Sequence, residues 1–167
     1  MKKTLGAALL AAAFASAQTA DSKSPWKDLQ FLLGKWTASG GGQPGTGQGA
    51  FSFQAELNNS VIVRHNFAEY ASGTPAIARH DDLMIVYLEG APRAIYFDSE
   101  GHVIRYALKV PGPDAVVFES DGTQPGPRYR LSYKLEGKSL NGKFEIAAPG
   151  AGEFKPYLSW SSVKDTK

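Results

Sequence analysis

Cysteine is absent from this chain of 167 residues. Disulfides are therefore excluded, and the fold must be held by its core. An acylated cysteine of the bacterial lipoprotein kind is excluded too. Histidine is scarce, with three residues, His65, His80 and His102, and none follows position 102. No apolar run approaches the roughly twenty residues that a membrane-spanning helix needs. The motifs of two large enzyme classes are missing as well. There is no G-x-S-x-G nucleophile elbow, and the glycine-rich "GGGQPGTGQG" has no Gly-Lys-Ser/Thr, so it is not a phosphate-binding loop. Beyond Phe31 there is almost no helical period.

What is present begins with "MKKTLGAALLAAAFASA": two lysines, a short apolar run, and Ala15-Ser16-Ala17. This pattern predicts a secretory signal peptide over 1–17, cleaved near Ala17, and hence a secreted or periplasmic protein. Losing Lys2 and Lys3 takes the 18 basic residues to 16, against 16 acidic ones. No basic excess then remains to point to nucleic acid or an anionic membrane. An N-terminal extension, 18–28, and a single domain over 29–165 are expected.

That domain reads as all-β. Ten short segments rich in Val, Ile, Tyr and Phe are punctuated by Gly, Pro, Asn and Asp. They fall at 35–39, 49–57, 60–70, 81–88, 93–98, 102–109, 115–121, 128–136, 139–147 and 154–163. Several alternate with period two. Phe51, Phe53, Ala55 and Leu57 share a face, as do His102, Ile104, Tyr106 and Leu108, and Tyr129, Leu131, Tyr133 and Leu135. The opposite faces carry Arg105, Lys109, Arg128, Arg130 and Lys134. Charges on a lipid-facing surface are costly, which argues against an outer-membrane barrel.

The connections sort by parity. The links after the second, fourth, sixth and eighth segments are short. Those after the first, third, seventh and ninth are longer, and only "DSEG" after the fifth is tight at that end. An up-and-down antiparallel β-barrel of about ten strands, closed at one end and ringed by loops at the other, has this signature. "PWKDLQFLLG" enters at the closed end, where Leu29, Phe31, Leu32 and Leu33 predict a short helical plug. The glycine-rich stretch would form a lip of the mouth.

Gly34-Lys35-Trp36 resembles the Gly-x-Trp of the calycins, the lipocalin and fatty-acid-binding group, in which the tryptophan closes the barrel base. Gly34 and Trp36 are markers of fold more than of a site. "LLGKW" with its following glycine run is similar to the start of nitrobindin-like barrels. "HDDLMIVY", "YFDSEGHVIRY", "VVFESD" and "GPRYRLSYK" resemble secreted bacterial calycin-like domains of uncharacterised function. The likeness covers about residues 29–163. It implies a binding protein or carrier, non-catalytic, holding a small hydrophobic molecule such as a fatty acid in its lumen.

Candidate lumen residues are Phe51, Phe53, Arg64, His65, Tyr96, His102, Tyr106, Tyr129 and Tyr133. Arg64 and His65 lie on opposite faces of one strand, so one of them points inward. Arg64 would offer a planar fork to a carboxylate. His65 would offer an axial ligand for haem, the cofactor that the nitrobindin likeness implies; that family's own histidine, near the C-terminal end, has no counterpart here. His80, Asp82 and His102 are residue types that hold zinc, but they lack tight ligand spacing, and "HDD" capping a loop and pairing with Arg79 is the simpler reading. Asp98, Ser99 and His102 read as turn residues rather than a triad. The third alternative is a packed barrel with a structural or interaction role, because aromatic side chains also fill cores.

Overall fold

The alternating segments fold as strands. A computed structural model describes residues 24–39, 47–70, 79–123 and 125–166. The expected signal peptide, most of the extension and residues 40–46 of the glycine-rich lip lie outside these residues, while residues 47–49 of that lip are strand. The strands are β1 (Gly34–Ser39), β2 (Gly47–Glu56), β3 (Val61–Tyr70), β4 (Arg79–Glu89), β5 (Ala91–Asp98), β6 (Val103–Gly112), β7 (Ala115–Ser120), β8 (Arg128–Glu136), β9 (Ser139–Ala147) and β10 (Lys155–Lys164). Each pairs antiparallel with its neighbours in sequence, and β1 pairs with β10, closing the barrel. Closure leaves no sheet edge to recruit another chain. β6 runs past its expected end because a register shift between Lys109 and Gly112 accommodates Pro111.

The short links make one end compact. The β2–β3 turn places Leu57, Asn58 and Asn59 at φ of 50°, 54° and 63°, a left-handed run that suits asparagine far better than leucine. The other end is bounded by the longer connections, of which 40–46 and 71–78 lie outside the described residues.

Before β1, Lys27–Leu32 forms a short 3-10 helix with Leu29 and Leu32 buried. Two indoles tie this segment to the hairpin end. Trp26 Nε1 donates to the Asn59 carbonyl at 2.8 Å, and Trp36 Nε1 donates to the Leu32 carbonyl at 2.8 Å. Both tryptophans are buried, so these bonds satisfy donors that would otherwise cost free energy. Gly34 has φ of 125°, and a β-carbon there would meet the Lys164 side chain, so the Gly-x-Trp glycine is a backbone requirement.

Above the indoles lies a ring cluster. Phe53 and Phe118 meet Tyr133 edge-on, with centroids 5.5 and 6.5 Å apart, and Phe51 meets Phe53 in the same way at 6.0 Å. Edge-to-face contacts of this kind add to the burial energy of each ring. Ile62, Met84, Val86, Val116 and Leu140 complete a core with essentially no exposure. The hairpin half of the lumen is therefore solid.

Candidate functional site

The other half is not. Between the ring cluster and the open end lies a cavity of about 390 Å³. Its two walls differ in chemistry because different strands supply them. Tyr129, Leu131, Phe144, Ile146, Leu158 and Trp160, from β8, β9 and β10, make an apolar and aromatic wall. Tyr129 and Phe144 stack with centroids 5.9 Å apart and planes 10° from parallel, and Tyr157 meets Phe144 edge-on at 6.3 Å. The wall from β3 to β6 is polar, with Arg64, Asn66, His80, Asp82, Tyr96 and Asp98 lining the cavity, and the β5–β6 turn adds Glu100 and His102.

The polar wall is one connected network. At its base the buried Arg64 guanidinium pairs with Asp82 Oδ1, and the Asp82 Oδ2 atom accepts from Asn66 Nδ2 at 2.7 Å. Arg64 also lies over the Phe51 ring, 5.5 Å from its centroid. His80 Nε2 stands 3.4 Å from Asp82 Oδ2 and 3.1 Å from the Tyr96 hydroxyl, while Nδ1 contacts Glu100 Oε1 at 2.7 Å. Tyr96 donates to Asp98 Oδ2 at 3.3 Å, and His102 Nδ1 contacts the same oxygen at 2.9 Å.

These contacts set the proton affinities. Hydrogen bonding to Asp82 raises the His80 pKa to about 9, with Glu100 acting in the same sense against partial burial. His80 is therefore an imidazolium at neutral pH. Burial works most strongly against the Arg64 charge, but Asp82, with Tyr133 and Tyr96 acting in the same sense, more than offsets it and together they hold the pKa above the ordinary value. Burial also works against the Asp98 carboxylate, yet the His102 N–H, its imidazole and the Glu100 N–H together lower its pKa. Tyr96 and Tyr106 are pushed well above the ordinary phenol range, first by burial and then by the Asp82 charge, so both remain protonated donors.

The expected lumen residues separate into three groups. Phe51, Arg64, Tyr96, His102, Tyr106 and Tyr129 line the cavity. Phe53 and Tyr133 point inward but sit below it, in the packed base. His65 is exposed on the outer wall, between Ser52 of β2 and Leu83 of β4, and faces an outer groove instead. Alternation explains this: once Arg64 is inside, its neighbour must be outside. A haem reading through His65 does not fit this geometry.

Among the described residues, no group of three or more His, Asp or Glu side chains is placed to hold a metal ion. Arg64 takes Asp82, Glu100 takes His80, and Arg79 pairs with Asp81 and Glu69. The Ser99 hydroxyl accepts from the Asp81 backbone N–H at 3.2 Å, and no hydrogen bond joins it to His102 among the described residues.

Phe144, Tyr157 and Trp160 were not foreseen as lining residues. The alternation of Phe144 with Ile146, and of Leu158 with Trp160, carries that signal in β9 and β10, whereas Tyr157 is out of phase and lies at the register shift between Pro156 and Leu158. Among the described residues, no helix is long and apolar enough to cross a membrane.

No protein-family model matches this chain, and no curated protein matches it. Among solved structures it is similar to the crystal structure of Rv2717c from M. tuberculosis, with 14% identity and a TM-score of 0.59. That likeness covers 84% of this chain and 96% of the other. At this identity it establishes the barrel fold and nothing about chemistry.

Proposed function

We propose that this protein is a non-catalytic, calycin-like binding protein that holds one small, largely apolar molecule in the open half of its barrel. The observation that carries this reading is the cavity of about 390 Å³ with an aromatic wall facing a hydrogen-bonded polar one. Small-molecule sites are concave, mostly apolar and fitted with a few placed polar groups, at volumes of roughly 300–1,000 Å³. A barrel with a purely structural role gains nothing from a void, because unfilled space forfeits packing energy. The N-terminal pattern, two lysines, a short apolar run and Ala15-Ser16-Ala17, supports reading this as a secreted or periplasmic binding protein.

The test is native mass spectrometry of gently purified protein, compared with its denatured mass. A retained mass of a few hundred daltons, lost on denaturation and absent from a variant with Ile146→Trp in the cavity, supports the reading. A bare native mass that stays bare after incubation with hydrophobic extracts contradicts it.

A further inference from the structure

The polar wall carries information about the ligand's head group, and the inference drawn from it rests on the binding reading above. A carboxylate ligand pairs best with a cation, and the two charged donors here, Arg64 and His80, already face resident carboxylates, Arg64 through Nη1 with its Nε left unpartnered among the described residues. Arg64 and Asn66 are engaged by Asp82, His80 by Glu100, and Tyr96 by Asp98. A bound anion would have to displace these partners and leave them desolvated, which is costly.

The acceptor side is different. Glu100 uses Oε1 on His80, and its other oxygen has no hydrogen-bond partner among the described residues. Glu100 lies at the cavity mouth with its side chain about one third exposed. His102 turns Nδ1 to Asp98 on the same turn as Glu100.

Charge points the same way. The lining brings three carboxylates, Asp82, Asp98 and Glu100, against the Arg64 guanidinium and the imidazoles of His80 and His102. The connections 40–46 and 71–78 contain no acidic or basic residue, so they do not alter that balance. Opposite stands the aromatic wall of Tyr129, Phe144, Tyr157 and Trp160, which suits the apolar body of a ligand.

We infer that the cavity takes an organic cation: a compact, ring-bearing apolar body that carries a primary or secondary ammonium group. The body lies against Trp160 and the Tyr129–Phe144 stack, and the ammonium donates to Glu100 at the mouth. A fatty acid, the ligand suggested by the calycin resemblance, is the wrong charge for this wall.

The experiment is calorimetric titration of the mature protein at pH 7 with three probes that share one body: 1-naphthylmethylamine, 1-naphthalenemethanol and 1-naphthylacetate. The expected order is amine tighter than alcohol and alcohol tighter than carboxylate. The amine advantage should be about tenfold at low salt, as for one charge-assisted hydrogen bond at a partly exposed site, and should shrink as salt rises. In Glu100→Gln the ratio of amine to alcohol affinity should fall toward one.

Carboxylate binding tightest, or amine and alcohol binding equally, would overturn the inference while leaving the binding reading in place. An amine preference untouched by Glu100→Gln would also overturn it. No measurable binding of any probe up to millimolar concentration would count against both.

Discussion

Trp160 lies flat across Gly142, its partner on the neighbouring strand, so that the indole occupies the space a β-carbon at 142 would need. One glycine in the middle of β9 thus sets the position of the largest side chain in the aromatic wall. The same ring meets Tyr133 of the packed base edge-on at 5.9 Å. Base and cavity are joined through this contact.

Gly142→Ala should therefore force the indole out of place. The expected cost is about 1–3 kcal/mol in denaturant unfolding, the range for overpacking a well-filled site. Trp160 fluorescence should shift as its ring moves, and any cavity ligand should bind more weakly. Wild-type stability and an unchanged spectrum would mean that the wall is not set by this glycine.

Arg64 and Asp82 form a buried ion pair, so single and double substitutions should differ in kind. Arg64→Met leaves the Asp82 carboxylate without its main partner, with an expected loss of about 3–5 kcal/mol. Arg64→Met combined with Asp82→Leu should recover most of that loss. The comparison is a double-mutant cycle by urea unfolding. Additive losses would contradict direct coupling between the two side chains.

His80 should make stability depend on alkaline pH. Its pKa is raised from the ordinary value of 6.5 to about 9 in the folded chain, with the Asp82 contact as the main cause. A raised pKa contributes stability that is fully present below about 6.5 and is lost as pH climbs through about 9. His80→Gln should therefore be less stable than wild type at pH 6 by about 1–2 kcal/mol, with the linkage value moderated by water at the mouth. The gap should close by pH 10. A gap that is constant from pH 6 to pH 10 would show that the His80 charge contributes nothing.

The barrel was legible in the sequence because period two is a direct image of the pleat. "FSFQAEL", "HVIRYAL" and "RYRLSYKL" each have one face that must be dry. Loop lengths sorted by parity then separated the closed end from the open one. The inward side of β3 was harder to read, since in "VIVRHNF" a charged residue and an apolar one compete for the interior. Arg64 prevails because Asp82, eighteen residues later and one strand over, is there to neutralise it. No local pattern reveals such a partner. Hollowness was not legible either, because the same aromatic types fill the base at Phe53 and Tyr133 and line the cavity at Tyr129 and Phe144. Only the closed geometry separates the two uses.

The central claim is that the open half of this barrel is a ligand site, and Trp160 reports on it directly. Trp26 and Trp36 are buried at the hairpin end, so a fluorescence change confined to the cavity belongs to Trp160. The measurement is a titration of the protein with cyclohexylmethylamine, which neither absorbs nor emits in the indole range, read by indole emission, in wild type, Trp160→Phe and Ile146→Trp. A saturable one-to-one change in wild type is predicted, with loss of the signal in Trp160→Phe and loss of binding by calorimetry in Ile146→Trp. A wild-type response that never saturates, or calorimetric binding unchanged by the cavity-filling tryptophan, would contradict the claim.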